Sequence, residues 1–316
     1  MSRIKIFTEA GIGIGFGHLT RCSAIWEQLS EEGEEVSLHV YLRDIDLDQP
    51  EINNLNWLDS EVEALINPED IVLVDSYLVS NTWLKSAKDI SRKLVHLDDY
   101  NRTVYPVDLI VNPNVFAQEL DYSNQSAECV GGPEHVILRS AFRDPKIKVP
   151  SSGKTTILIT VGGSDYRDML PKLSKWAIES GDVKVRVVVP NEQLKIAEEA
   201  TTLPLLSAEE MASEMLNADV IISACGQTLH ELAALDRPVI GICLDEDQVL
   251  NHQFYNRIGF IRGNLCWNDN DLEIKVKQEL RRLDSEVERT KLSAVSPTID
   301  PYGVKNVVAA ILNIHD

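Results

Sequence analysis

A histidine and an arginine end a glycine-rich stretch near the N-terminus, GIGIGFGHLTRC at residues 11–22. Glycines such as Gly15 and Gly17 after a strand let the backbone turn sharply and let a ligand approach closely. The helix that follows presents free N–H groups and the positive end of its dipole to an anion. His18 stands at this helix start, where a cationic environment is expected to lower its pKa and keep it a neutral base. Arg21, one turn later, could reach a phosphate or orient a substrate.

Two common phosphate-binding motifs do not match this stretch. A P-loop ends in Gly-Lys-Ser/Thr, whereas Gly17 is followed by histidine. The dinucleotide fingerprint needs GxGxxG and an acidic residue about 20 residues further on. Here Gly13, Gly15 and Gly17 give GxGxG, and Asp44 lies well beyond that distance, so NAD binding is only weakly indicated. A helix cap is the alternative role for His18, but four glycines at a strand end favour a functional one.

Two similar strand-to-helix junctions occur in the second half, VGGSD at residues 161–165 and ACGQTLHE at residues 224–231. The second junction would offer backbone N–H groups and a hydroxyl to a diphosphate, and its glutamate would accept hydrogen bonds from ribose hydroxyls. Helix capping is the alternative for its glutamine and threonine. Together the junctions predict a nucleotide whose sugar is presented to His18. The candidate ligand-binding residues are Gly163, Ser164, Gly226, Gln227, Thr228 and Glu231.

Predicted strands and helices that could position these residues alternate along the N-terminal half. Short apolar runs predict strands at residues 4–7, 36–42, 71–74, 93–97 and 108–111. Apolar residues at helical spacing predict helices at residues 18–33, 62–66 and 82–91. The pattern breaks at RDPKIKVPSSGK, residues 143–154, which we interpret as a linker.

The same alternation restarts after the linker. Strands are predicted at residues 155–161, 184–189, 219–223 and 239–243, and helices at residues 169–180, 208–216, 229–235 and 303–314, with a charged helical region beyond residue 268. Continuous apolar strands separated by helices are typical of parallel sheets covered on both faces. We therefore predict an α/β fold with two Rossmann-like domains, residues 1–147 and 148–300, that face each other across a ligand-binding cleft. Residues 301–316 are expected to form a crossover helix that packs back on the N-terminal domain.

The composition is that of an ordinary soluble globular protein, with 44% apolar and 25% charged residues among 316. The net charge of −20 argues against nucleic acid binding, which needs a surplus of Lys and Arg. Five scattered cysteines without a CxxC pair indicate neither a disulfide framework nor a zinc site. We expect neither a signal peptide nor a membrane span, because no apolar run approaches the ~18 residues that a span requires. We expect a cytoplasmic monomer or weak homodimer without membrane insertion, metal or cofactor.

Taken together, the motifs resemble one known family over nearly the whole chain. Two segments are specific when found together: Gly-His-x-x-Arg-Cys at residues 17–22, and Gly-Pro-Glu followed by Leu-Arg at residues 131–142, which includes Arg139. The other matching segments are LVDSY (73–77), HLDDY (96–100), VGGSD (161–165), MASEMLNADVIIS (211–223), GQTLHELAALDRPVI (226–240) and, loosely, DPYGVKNV (300–307). The sequence is similar to the UDP-sugar hydrolases of pseudaminic acid biosynthesis and the related spore-coat polysaccharide proteins. That resemblance implies the GT-B fold, which those proteins share with glycosyltransferases such as the enzyme that makes the peptidoglycan precursor lipid II.

The resemblance also implies a metal-independent attack of water on the anomeric carbon of a UDP-linked sugar, with loss of UDP and inversion of configuration. His18 would act as general base on the water, a role that needs a pKa near the working pH. Stabilising the charge of the leaving diphosphate matters more than protonating it. Asp75, Tyr77 and Asp99 are expected at strand ends, where they would hold sugar substituents or orient His18. Helix capping is the alternative for Asp99.

By resemblance the uracil and ribose would bind in the second domain, with Glu231 on the ribose, and Arg139 would be a further substrate contact. The chain departs from the family where Asn-Gln usually precedes a helix. It reads Glu-Asp-Gln at residues 246–248, so Asp247 takes the place of asparagine before Gln248. A negative charge near a diphosphate or a sugar hydroxyl changes what can bind. Which deoxy-diamino sugar is bound, and whether the nucleobase is uracil, therefore stay open.

Two other functions use the same nucleotide site. A GT-B glycosyltransferase would move the sugar to an acceptor instead of water, and a non-catalytic nucleotide-sugar binding protein would not need His18. Membrane-linked transferases of this fold usually need an apolar or basic docking surface. The first domain shows no such segment, so hydrolysis is favoured.

Overall fold

The computed structural model describes residues 3–47, 49–143, 153–165, 167–190 and 194–314. The chain divides into two compact units, one with Met1–Arg139 and Asp300–Asp316, the other with Ser140–Ile299. Each unit is built around a parallel β-sheet, so the predicted α/β class is confirmed. The expected linker at residues 143–154 and the expected boundary between residues 147 and 148 fall largely on residues 144–152. Those residues lie outside the described ones, and both expectations stay predictions.

The sheet of the first unit consists of β1 Arg3–Gly11, β2 Glu35–Arg43, β3 Ile52–Asn54, β4 Asp70–Asp75, β5 Lys93–Leu97, β6 Leu109–Asn112 and β7 Glu128–Gly131. The strand order is β3-β2-β1-β4-β5-β6-β7, and the paired strands run parallel. The helices between them are α1 Gly17–Glu31, α2 Val62–Leu65 and α3 Asn81–Ile90. Because β1, β4, β5 and β6 are consecutive in the sheet, the loops that follow them meet at its carboxyl edge, where α/β proteins bind ligands.

Both faces of this sheet are buried, which explains why its strands are continuous apolar runs. Ile4, Ile6 and Ala10 of β1 belong to the apolar cluster that includes α1. Phe7, whose side chain points to the other face, packs on Trp57 and Trp83 with ring centroids 5.5 Å apart in each pair.

The second unit repeats this plan with a shorter sheet. Its strands are β8 Thr156–Thr160, β9 Lys184–Val188, β10 Thr201–Leu203, β11 Val220–Ala224, β12 Val239–Cys243 and β13 Leu265–Cys266, in the order β10-β9-β8-β11-β12-β13. Its helices are α4 Met169–Ile178, α5 Ala208–Asn217, α6 Gln227–Ala234, α7 Val249–Arg257, α8 Leu272–Leu283 and α9 Glu286–Ser293. The loops after β8, β11 and β12 lie side by side at the carboxyl edge, as their neighbouring places in the sheet require.

The final helix, α10 Gly303–Leu312, belongs to the first unit. Val304, Val307, Val308 and Ile311 are fully buried in the same apolar cluster as the inner face of α1. The expectation that the C-terminal helix packs on the N-terminal domain is confirmed.

Four strands were not predicted from the sequence: β3, β7, β10 and β13. Each of them forms an edge of one of the two sheets. They are two to four residues long and only partly buried, so no continuous apolar run marks them.

Candidate active site

The glycine loop between β1 and α1 has a conformation that places His18 in the first turn of α1. Gly11, Gly13 and Gly15 adopt positive φ angles of 135°, 76° and 83°. Gly11 and Gly15 hydrogen-bond each other in both directions, N to O, at 3.1 and 2.9 Å, which closes the loop. A Cβ on Gly11 would lie 2.2 Å from the carbonyl oxygen of Arg43, so only glycine fits there. The N-cap residue of α1, Phe16, makes no side-chain cap hydrogen bond.

His18 is joined to Asp75, which ends the adjacent strand β4. Nδ1 of His18 lies 2.7 Å from Oδ1 of Asp75. The His18 side chain is 7% exposed and the Asp75 side chain is fully buried. A carboxylate can only accept, so Nδ1 carries the proton and Nε2 presents its lone pair. None of the described residues hydrogen-bonds this Nε2 atom. The arrangement is that of a general base held in one tautomer.

Arg21, one turn along α1, lies between two carboxylates. Its Nε and Nη2 donate to the two oxygens of Asp75 at 2.7 and 2.6 Å. Its Nη1 and Nη2 donate to the two oxygens of Asp99 at 2.7 and 3.0 Å. These four bonds orient Asp75 and Asp99. The expectation that Arg21 reaches a phosphate or orients a substrate stays a prediction.

The charges in this cluster set the protonation states. Burial opposes ionisation of Asp75 and Asp99, but the Arg21 guanidinium outweighs it and holds the pKa of both carboxyls well below the usual range. Burial likewise disfavours a charged His18, yet the Asp75 carboxylate outweighs burial and raises the pKa of His18 above its usual 6.5. The expectation of a lowered pKa is wrong, because a full negative charge in contact exceeds the partial charge of a helix end.

Tyr77 covers the cluster from the loop after β4. Its hydroxyl donates to Oδ2 of Asp99. Its ring meets that of His18 edge-on, with centroids 4.4 Å apart and an interplanar angle of 88°. The guanidinium carbon of Arg102 lies 4.4 Å from the Tyr77 ring centroid. Burial, followed by the negative charge of Asp99, raises the pKa of Tyr77, so its hydroxyl stays a donor.

Several residues that contact this cluster were not predicted from the sequence. Asn114 donates through Nδ2 to Oδ1 of Asp99 at 2.8 Å, and Asn112 donates to the Asp99 carbonyl at 3.0 Å. Asn112 ends β6 and Asn114 follows it, in the segment VNPN at residues 111–114. Polar residues at the end of an apolar strand are a sequence feature that could have identified both asparagines. No comparable sequence feature marks Glu9 or Arg102.

In the second unit the predicted ligand-binding residues lie in three neighbouring loops. Gly163 and Ser164 follow β8, in a loop where Asp165 caps α4 by accepting from Met169 N and Leu170 N at 2.8 Å each. Gly226 is the N-cap residue of α6, and Gln227 and Thr228 are the first residues of that helix. The N-cap residue Gly226 makes no side-chain cap hydrogen bond, and both the ligand-binding role and the capping alternative for Gln227 and Thr228 stay predictions.

Gln248 connects two of these loops. Its Oε1 accepts from Cys225 N and from Leu244 N, each at 3.1 Å, and so joins the ends of β11 and β12. Asp247, beside it, is exposed, whereas Glu231 in α6 is buried.

Of the predicted residues, the structure brings His18, Arg21, Asp75, Tyr77 and Asp99 into one hydrogen-bonded cluster, the His18 cluster. Gly15 lies in the glycine loop and Gly17 is the first residue of α1. The other candidates lie in the second unit, apart from Arg139. Arg139 is the last residue before the second unit and is half-buried.

Among the described residues, no group of three or more His, Cys, Asp or Glu side chains is arranged to hold a metal ion. Within the same residues, no helix has the length and apolar character needed to cross a membrane.

No protein-family model matches the chain. The chain is 22% identical over 264 residues to the pseudaminic acid cytidylyltransferase and UDP-2,4-diacetamido-2,4,6-trideoxy-beta-L-altropyranose hydrolase of Helicobacter pylori, covering 82% of this chain and 48% of that protein. It is 24% identical over 274 residues to protein MJ1062 of Methanocaldococcus jannaschii, covering 78% of this chain and 56% of that protein. The chain thus spans about half the length of the curated relatives that it matches.

Solved structures resemble the whole chain. MurG of Acinetobacter baumannii superposes with a TM-score of 0.65 at 17% identity, covering 98% of this chain and 99% of that one. Arabidopsis thaliana UGT89C1 complexed with UDP-L-rhamnose superposes with a TM-score of 0.63 at 12% identity, covering 97% and 98%. At these identities the similarity shows the fold, and the chain has the GT-B fold of two parallel-sheet α/β units.

Proposed function

We propose that this protein hydrolyses a UDP-linked sugar, releasing UDP and the free sugar by attack of water at the anomeric carbon. The observation that carries the proposal is the His18–Asp75 pair. A nearly buried imidazole is bound through Nδ1 to a fully buried carboxylate, and its Nε2 has no partner among the described residues. This geometry suits a general base whose Nε2 accepts a proton from a water molecule.

In the proposed reaction, Nε2 of His18 takes a proton from water as the water oxygen bonds to the anomeric carbon. The bond between that carbon and the phosphate oxygen breaks, and its electron pair leaves with UDP. Attack from the face opposite the leaving group inverts the configuration. The imidazolium formed on His18 is stabilised by Asp75 in contact with it, as in other histidine–carboxylate pairs.

The carboxyl-edge loops of the second unit are the part of the chain for which we propose UDP binding. With a net charge of −20, the protein needs local donors to hold a diphosphate. The N-terminus of α6, where the N-cap residue is Gly226, supplies backbone N–H groups of the required kind. The similar structure described with UDP-L-rhamnose bound supports a nucleotide sugar as the ligand class.

For the sugar we propose a 2,4-diacetamido-2,4,6-trideoxy hexose. The support is the weak similarity to a Helicobacter pylori protein whose name includes a hydrolase of such a UDP-sugar, together with the motifs described above. Asp247, exposed beside Gln248, is the residue most suited to distinguish this substrate from close analogues.

The test is release of UDP from a panel of UDP-linked 2,4-diacetamido-6-deoxy sugars, without acceptor or added metal, by the wild type and by His18→Ala. We expect the wild type to release UDP and free sugar. The variant should bind UDP equally and turn over at least about 100-fold more slowly, since general-base catalysis contributes that much. His135→Ala, in the same unit but outside the His18 cluster, is the matched control and should keep its rate.

A glycosyltransferase is the second candidate, because MurG and a UDP-sugar-bound plant protein share this fold. It predicts that the wild type binds UDP but releases nothing until an acceptor is added. That result would contradict the hydrolase proposal, and equal rates for the wild type and His18→Ala would contradict the role of His18.

A further inference from the structure

We propose that Glu9 is a positioning residue that fixes the turn carrying Tyr77 and thereby holds the Tyr77 ring against His18. Glu9 lies near the end of β1, and by strand alternation its side chain points to the face of Phe7, opposite α1. It thus approaches the His18 cluster from the other face of the sheet. The expected effect on turnover rests on the proposed function, whereas the effect on the His18 ring does not.

Glu9 makes its hydrogen bonds with the turn after β4. Its side chain is 1% exposed; Oε1 accepts from Tyr77 N at 2.9 Å, and Oε2 accepts from Ser76 Oγ. Ser76 Oγ in turn accepts from Leu78 N at 2.9 Å and from Val79 N at 3.0 Å. The path of the backbone through residues 76–79 therefore depends on one buried carboxylate.

A buried carboxylate is an energetically unfavourable residue at the end of a strand. No described residue places a cation within ion-pair distance of Glu9, whereas Lys5 on the same strand pairs with Asp70 at 2.9 Å. Burying a polar group is unfavourable unless it is hydrogen-bonded, and an apolar side chain would fill the same place without that cost. What the carboxylate adds is a pair of acceptors for the turn.

The turn matters because the residues on either side of Ser76 both contact His18. Asp75 is held independently, since it pairs with Thr8 in the β1–β4 ladder. Tyr77 lies beyond β4, and its backbone N–H is fixed by Glu9. Loss of Glu9 should therefore release Tyr77 while leaving the His18–Asp75 contact in place.

Glu9→Gln tests this with the least change in shape. The new NH2 group would face Ser76 Oγ, which already accepts two N–H groups and cannot accept a third. In Glu9→Gln we expect the NMR signals of the His18 ring protons to shift toward their positions in Tyr77→Leu, a variant that lacks the aromatic ring beside His18. The pKa of His18 should stay raised, because Asp75 is unaffected. Lys5→Met is the control for a buried polar change on the same strand face, and its His18 signals should match the wild type.

On turnover, Glu9→Gln should lower kcat about 10-fold and leave KM nearly unchanged, as expected for a displaced site residue. Combining it with Tyr77→Leu should add little to the effect of Tyr77→Leu alone, because both act through the same ring. Ser76→Ala keeps Glu9 but removes the hydroxyl that donates to it. This variant should shift the His18 signals in the same direction, and it replaces Glu9→Gln as the test if Glu9→Gln does not fold.

The inference is overturned if the His18 signals of Glu9→Gln and Ser76→Ala match the wild type. It is also overturned if Lys5→Met lowers kcat as much as Glu9→Gln, since the effect is then one of general strand stability. Absence of hydrolysis by the wild type would overturn the proposed function, and the NMR comparison would still decide the role of Glu9.

Discussion

Asp75 places its carboxylate 2.7 Å from Nδ1 of His18, and neither group has its usual pKa. The pKa of Asp75 is held below its usual range and that of His18 is raised, each by the charges around it. The carboxylate thus fixes the tautomer of the imidazole and also sets its basicity.

Replacing Asp75 by asparagine should lower kcat by a factor of about 10²–10⁴, because the amide can hold the wrong tautomer and no longer stabilises an imidazolium. Steady-state kinetics on the preferred UDP-sugar measure this. UDP affinity, measured by calorimetry, should stay the same. A rate within threefold of the wild type would show that His18 does not act as the base.

The pH dependence follows from the raised pKa of His18. The neutral imidazole is the active form, so kcat/KM should rise with pH, with an apparent pKa above 6.5. The same shift means that protonated His18 stabilises the fold below about pH 6.5, and that this contribution is lost as pH rises through the folded-state pKa. NMR titration of His18 and a pH–rate profile should agree. A titration below 6.5 would contradict the charge arrangement.

Removing the Arg21 guanidinium should destabilise the first unit severely. Arg21→Met leaves the buried Asp75 and Asp99 with only His18, among the described residues, as a titratable basic neighbour. The loss should cost about 3–5 kcal/mol in the free energy of unfolding at neutral pH. Folding lowers the pKa of both carboxyl groups. The two ionised carboxylates therefore stabilise the wild type at neutral pH, and this stabilisation is lost as the pH falls toward their folded-state pKa values. Urea unfolding at several pH values measures both effects.

The matched control for Arg21 is Arg186. Its Nε and Nη2 donate to the two oxygens of Glu214 at 2.7 Å each, but the pair is partly exposed. Arg186→Met should therefore cost no more than about 1 kcal/mol. Equal losses for the two variants would mean that burial does not set the strength of the Arg21 contacts.

The glycine loop gives a prediction about backbone shape. At Gly11 an alanine would meet Arg43 at 2.2 Å in addition to the unfavourable φ, whereas at Gly13 a Cβ meets no atom within 4 Å. Gly13→Ala should cost about 1 kcal/mol from strain alone, and Gly11→Ala should cost clearly more. Thermal unfolding compares them, and equal stability of the two variants would contradict the loop geometry.

The sequence predicts the central strands and misses the edges, for a physical reason. A central parallel strand is buried on both faces and appears as an apolar run, whereas β3, β7, β10 and β13 are short and partly buried. Asp75 ends β4 and Asp99 lies two residues beyond β5, so the sequence could place both at the ends of predicted strands. The role of Arg21 could not, since its partners lie 54 and 78 residues away and only the fold brings them together.

The place of α10 in the first unit has a consequence for how the protein is made. Its residues 303–312 complete the apolar cluster that covers the inner face of α1. On the ribosome, residues 140–299 emerge before that helix does, so the second unit can fold while the first still lacks part of its core. Of the two units, the one that carries His18 is thus completed later during synthesis, although its first strand emerges before the second unit.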